Sequence, residues 1–201
     1  MEALVEEGRR RGRTRARRAA LGAALALACL GLGSAAWTAD APDIPALMRD
    51  FGVGSLSGEP TPVILPDLGG ERVALQGHRG RLVMLYFWAT WCPYCTREMP
   101  ATIETIHREL HDQGLTILAI NLGESRAVVA PWVEQRHLTF PILLDESGAV
   151  AGAYRVRGTP TVVLVDRKGR LLGRTVGSRE WDTEGRPLLA ALLAARPQVA
   201  P

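Results

Sequence analysis

Leu82-Val83-Met84-Leu85-Tyr86-Phe87-Trp88-Ala89-Thr90-Trp91-Cys92-Pro93-Tyr94-Cys95 is an apolar run that ends on two cysteines separated by two residues. Residues 82–88 are apolar at every position, the pattern of a strand covered on both faces. A strand that feeds a helix beginning at the cysteines puts one thiol at the helix N-terminus and the other a turn later on the same face. Unpaired N–H groups and the macrodipole at that end favour an anion, so Cys92 is expected to ionise below the ~8.5 of a free thiol and to act as the nucleophile. Cys95, further in, is placed to attack a mixed disulfide formed by Cys92. Pro93 suits the first helical position, where its missing N–H costs nothing. Tyr94 is the variable position that tunes the couple or touches a substrate.

Other uses of the pair fit less well. A zinc site needs a second Cys/His pair, and His78, His107, His111 and His137 do not supply one at the usual spacing. A static staple closing so short a loop would stabilise little. No glycine-rich phosphate loop and no internal repeat is present, so neither a metal nor a nucleotide cofactor is expected.

Working back toward the start, residues 9–18 hold seven arginines, and the uncharged stretch 19–39 is rich in Leu, Ala and Gly. Residues 1–39 thus read as a signal peptide or signal anchor. Three fates are open: cleavage after Ala36 or Ala41, retention as a membrane anchor, or lipidation at Cys29, which a loose lipobox precedes. Each places the dithiol beyond the membrane, where disulfides persist. The chain carries 24 Lys and Arg against 21 Asp and Glu. Without residues 1–18, 17 basic residues face 18 acidic ones, a net charge of −1. The basicity belongs to targeting, and no nucleic-acid partner is expected.

The Pro- and Gly-rich stretch 40–60 reads as a linker, 61–196 as the domain and 197–201 as a frayed tail. A hairpin is expected from 63–65 and 72–75 around Asp67-Leu68-Gly69-Gly70. Beyond the cysteines, Met99, Ile103, Ile106 and Leu110 mark one helical stripe running to about Gln113, kinked at Pro100 and ended by Gly114. A strand over 115–121, a helix over 127–137, a strand over 140–144, a helix over 149–154, a strand over 161–165, a hairpin partner over 170–176 and a helix over 182–194 follow. Alternating strands and helices closed by a hairpin and helix argue an α/β layered sheet.

Phe87-Trp88-Ala89-Thr90-Trp91-Cys92-Pro93-Tyr94-Cys95, Glu98-Met99-Pro100, Tyr154-Arg155-Val156-Arg157-Gly158-Thr159-Pro160-Thr161 and Asp166-Arg167-Lys168-Gly169, in that order, resemble the thioredoxin superfamily over about 61–193. Within it the chain is similar to the extracytoplasmic TlpA/ResA-like branch, which includes the cytochrome c maturation proteins. The resemblance implies a thioredoxin-like α/β fold: a central mixed sheet with helices on both faces, an N-terminal hairpin and a central strand-helix insert over 121–154. It matches Pro160 to the family's cis-proline, leaving the Thr159 backbone to pair with an extended substrate strand. It matches Glu98 to an acidic position that holds Cys95 protonated and takes its proton during resolution; a glutamate merely complementing the helix dipole is the alternative. Trp91 and Trp88 are expected to flank the sulfurs, with core packing the alternative for Trp88.

The implied activity is a thiol:disulfide oxidoreductase that reduces disulfides in exported proteins such as apocytochrome c, re-reduced by a transmembrane electron donor of the DsbD/CcdA type. A disulfide-donating oxidase and a copper-delivery or metal-binding module are the rivals. Peroxidase chemistry is disfavoured, because Ala89 stands where a threonine would precede the nucleophile by three residues. Pro93-Tyr94 is the dipeptide of glutaredoxins, yet glutathione chemistry would need more basic residues around the cleft than the sequence identifies.

Overall fold

A computed structural model describes residues 41–195. The signal segment, Cys29 and the frayed tail lie outside the described residues.

Strands β1 (Gly54–Ser55), β4 (Leu82–Trp88), β5 (Leu115–Leu122), β6 (Ile142–Asp145), β7 (Thr161–Val165) and β8 (Leu171–Val176) form a mixed sheet in the order β1-β8-β7-β4-β5-β6. β4, β5 and β6 run parallel, while β7, β8 and β1 pair antiparallel. β2 (Ile64–Pro66) and β3 (Arg72–Ala74) make the expected hairpin as a separate ribbon, bridged to the sheet at Asp67 and Leu143. The sheet is the thioredoxin-like arrangement that the resemblance implies, with β6 as the strand contributed by the insert.

All seven side chains of β4 are buried because alternate positions enter two cores. Met84, Tyr86 and Trp88 join the layer that holds Cys92, Cys95 and the helical side chains Met99, Ile103, Ile106, Val129, Leu188 and Leu189. Val83, Leu85 and Phe87 face the other way, onto Val63 and Leu65 of the hairpin and onto Ala151 and Tyr154.

The stripe after the cysteines is three pieces: α2 (Pro93–Glu98), a π-helical turn (Met99–Ile103) and α3 (Glu104–Leu110). Pro100 lacks a donor and crowds the preceding turn, so the backbone widens there and the Glu104 N–H reaches the Met99 carbonyl. The four stripe residues remain buried through the change in pitch. Gly114 takes φ +109° and turns the chain into β5.

The linker reading of 40–60 is corrected. Ile44–Asp50 form a helix, α1, capped by Asp43, whose side chain accepts the Ala46 N–H at 3.0 Å, and β1 extends the sheet edge on β8. The folded unit begins at Pro42, not at residue 61. Ile44, Leu47, Met48 and Phe51 fall at i, i+3, i+4 and i+7, which is the amphipathic pattern. Phe51 meets Trp181 edge to face, ring centroids 4.7 Å apart. The prolines and glycines that suggested a linker instead start the helix, at Pro45, and turn the chain after it, at Gly52.

The remaining helices are α4 (Arg126–Gln135), α5 (Ala149–Ala153) and α6 (Arg186–Ala194). α6 begins four residues later than expected, after a turn holding buried Trp181. Among the described residues no helix is long and apolar enough to cross a membrane.

Candidate functional site

β4 ends at Trp88 and the chain turns once before Cys92, which is the N-cap of α2 with Pro93 directly behind it. Cys92 Sγ accepts the Cys95 N–H at 3.2 Å, and the Cys92 carbonyl accepts the Thr96 N–H at 3.0 Å. The sulfur therefore occupies the place of a capping oxygen, facing N–H groups that no helical carbonyl satisfies, and these donors stabilise a thiolate on Cys92. Cys92 and Cys95 are joined as a disulfide with Cα atoms 5.3 Å apart. Cys92 is 2% exposed and Cys95 fully buried, so the first sulfur is the one an incoming molecule reaches. Trp91 and Tyr94 on either side are 68% and 56% exposed, an apolar rim around that sulfur.

Glu98 lies one turn beyond Cys95 and is buried. Burial pushes its carboxyl up to about 7; a hydrogen bond from Ser178, the Arg179 N–H at 3.4 Å and the Tyr86 hydroxyl at 3.3 Å pull in the opposite direction. Burial, and after it the same carboxylate, raises the Tyr86 phenol well above 10.0. A carboxyl that titrates near neutrality beneath a buried thiol is fitted to take a proton from it and return it.

β7 runs antiparallel to β4 with Thr161 opposite Phe87, so the residues before Thr161 sit at the sheet end from which the Trp88–Cys92 loop emerges. The Thr159–Pro160 peptide bond is cis, as the resemblance implies. The Pro160 carbonyl is taken by the Gly177 N–H at 2.8 Å, which ties this segment to the end of β8.

The loop before Cys92 is held from below. Glu124 accepts the Thr90 N–H at 2.7 Å, a close hydrogen bond from the Thr90 hydroxyl, and the Asn121 side-chain amide at 2.7 Å. Trp88 is fully buried against Trp132, ring centroids 4.8 Å apart, which makes it a core residue. Among the described residues no group of three or more His, Cys, Asp and Glu is placed to hold a metal ion.

The profile of the AhpC/TSA family matches residues 59–173. The chain belongs to the AhpC/TSA family. Within this thioredoxin-fold family, the thiol-disulfide oxidoreductase ResA of Geobacillus kaustophilus is 42% identical over 108 residues, covering 54% of this chain and 62% of the relative. ResA of Halalkalibacterium halodurans is 38% identical over 109 residues, 54% of this chain and 61% of the relative. The chain thus spans about three fifths of the length of these curated relatives. Among solved structures, a Chlorobium tepidum protein assigned as the thiol:disulfide interchange protein DsbE superposes with a TM-score of 0.63 at 28% identity, over 70% of this chain and all of that one. StoA from Bacillus subtilis superposes at 0.55 and 24% identity over 65% of this chain and 96% of its own, a likeness of fold.

The structure brings Cys92, Pro93, Cys95 and Glu98 together on one helix, sets Trp91 and Tyr94 at its surface and places Thr159 and Pro160 at the neighbouring strand end. Sequence reasoning missed Tyr86, Glu124, Ser178 and the Arg179 N–H. Tyr86 carried a signal: a phenol inside an aliphatic strand needs a partner for its hydroxyl. Glu124 carried none, because its bond to Thr90 spans 34 residues of chain.

Proposed function

We propose that this chain is an extracytoplasmic thiol:disulfide oxidoreductase that reduces disulfides in exported proteins, with apocytochrome c the leading substrate. The observation that carries the reading is Cys92 Sγ in the capping position of α2, bonded to Cys95, with buried Glu98 one turn on.

In the reducing direction the Cys92 thiolate attacks one sulfur of a substrate disulfide, and the other leaves as a thiolate. An extended substrate strand pairs with the backbone at Thr159–Pro160, and Trp91 and Tyr94 cover its apolar side. The Cys95 proton passes to the Glu98 carboxylate; Cys95 then attacks Cys92 Sγ, and the bond between Cys92 and the substrate breaks. The oxidised pair is returned to the dithiol by a transmembrane donor of the DsbD/CcdA type. The basic and apolar segment before residue 40 supports the placement beyond the membrane and attachment to it.

Replacing Cys95 with alanine in the host arrests the cycle at the mixed disulfide. Exported cysteine proteins, apocytochrome c among them, are expected covalently attached through Cys92; only nonspecific adducts would contradict the substrate assignment. The direction is read from the potential of the Cys92–Cys95 couple, where a value near the oxidising extreme of about −120 mV would make the chain a disulfide donor instead.

A further inference from the structure

Beside the Thr159–Pro160 segment lies an open cleft of about 300 Å³ lined by Arg155, Arg157, Thr161, Arg174 and Val176. That volume takes a side chain or a short run of backbone. Three of its five lining residues are arginines, and no carboxylate joins them. Among the described residues none of the three is in an ion pair with Asp or Glu. Arg174 donates a close hydrogen bond to the Tyr154 carbonyl, while its buried Nε has no partner. Arg155 and Arg157 are exposed.

The backbone also holds Arg155 in place. The Arg155 N–H bonds to the Gly152 carbonyl and the Val156 N–H to the Ala151 carbonyl, both at 2.9 Å, which is the six-to-one and five-to-two closure at the end of α5. Arg155 adopts φ +53° there, a conformation that glycine takes without steric cost and that a side chain normally avoids. The chain keeps an arginine where glycine fits better, and the side chain stands at the cleft.

We propose that this cleft binds a carboxylate of an acidic substrate polypeptide, held through Arg155, Arg157 and Arg174, while Cys92 acts on the substrate's disulfide. The inference rests on the oxidoreductase reading above and adds a substrate class to it. A strand paired at Thr159 presents alternate side chains on one face about 7 Å apart, so residues flanking the substrate cysteine pass the cleft two positions at a time. Guanidinium groups recognise carboxylates by paired, charge-assisted hydrogen bonds.

The test uses the full chain, pre-reduced, in neutral detergent. Two peptides are compared, each with one cysteine in disulfide linkage to 2-thiopyridine, identical except for Glu or Lys at the two positions on either side. Reduction oxidises the Cys92–Cys95 dithiol to its disulfide and yields the peptide thiol and 2-thiopyridone, whose release gives the second-order rate constant. The ratio of acidic to basic peptide is expected near tenfold for the native chain. It should fall toward one in the double variant Arg155→Gly, Arg157→Ser. Because both peptides are measured on the same protein, a general loss of activity cancels. Raising the ionic strength from about 0.01 M to about 1 M shortens the screening length from ~30 to ~3 Å, and should collapse the native ratio without any mutation.

A native ratio near one, or one unchanged by both variant and salt, overturns the proposal. So does oxidised glutathione outpacing the acidic peptide and losing that advantage in the same variant, which would assign the cleft to a small thiol. Reduction of neutral 2,2′-dithiodipyridine separates the two claims: if the native chain fails with it as well as with both peptides, the oxidoreductase reading itself falls.

Discussion

Glu98 carries the most chemistry of any side chain outside the cysteine pair. Replacing it with glutamine removes the proton acceptor while keeping the shape, so release of a Cys92-linked substrate should slow by about 10²-fold in stopped-flow traces. The native rate of that step should rise with pH through about 7, where Glu98 ionises, and the variant should lose this limb. Tyr86→Phe tests the support beneath. Losing the hydroxyl that donates to the carboxylate makes ionisation harder, and the limb should move up by about one pH unit. An unchanged profile would assign Tyr86 to packing alone. The sequence offered Glu98 through its spacing from Cys95 and through family likeness. It could not offer the partners of the carboxylate at Ser178 and Arg179, which arrive about 80 residues later.

At the scale of elements, the N-terminal helix is where composition misled. Counting Pro and Gly between residues 40 and 60 suggested a linker, yet the apolar spacing from Ile44 to Phe51 and the Asp43 cap were there to be read. Tertiary contacts fix the outcome: a Cβ added at Gly173 of β8 would stand 2.6 Å from Val53 and 2.9 Å from the Gly54 carbonyl. Gly173→Ala should therefore destabilise the fold by about 1–3 kcal/mol in denaturant titration, by pushing β1 and α1 off the sheet edge. A variant as stable as the native chain would mean that this edge is not part of the cooperative unit. The loop before Cys92 is anchored with equal economy. Glu124→Ala would take away the charged acceptor of the half-buried Thr90 N–H, and the expected cost is about 1–3 kcal/mol with faster amide exchange at Thr90 and Trp91. By contrast β4, β7 and the stripe over the π-helical turn and α3 were legible from the sequence, because their patterns are set by burial on two faces or on one.

For the molecule as a whole, the buried carboxyl links stability to pH. Glu98 has a folded value of about 7 against 4.5 when unfolded, so between these values the unfolded chain has lost a proton that the native state retains. Its contribution is complete below pH 4.5, declines as pH rises and is gone above about 7, for a total of about 3 kcal/mol. Urea titrations of the oxidised protein should show this loss between pH 4.5 and 7, and Glu98→Gln should flatten it.

A helix start that makes one sulfur anionic while its partner stays protonated underlies every step from attack to resolution. Alkylation of the reduced protein with iodoacetamide across pH, with each cysteine assigned by mass spectrometry, measures it directly. Modification of Cys92 should follow an apparent ionisation below ~8.5, with Cys95 untouched at neutral pH. Titration of Cys92 at or above that value would contradict the account.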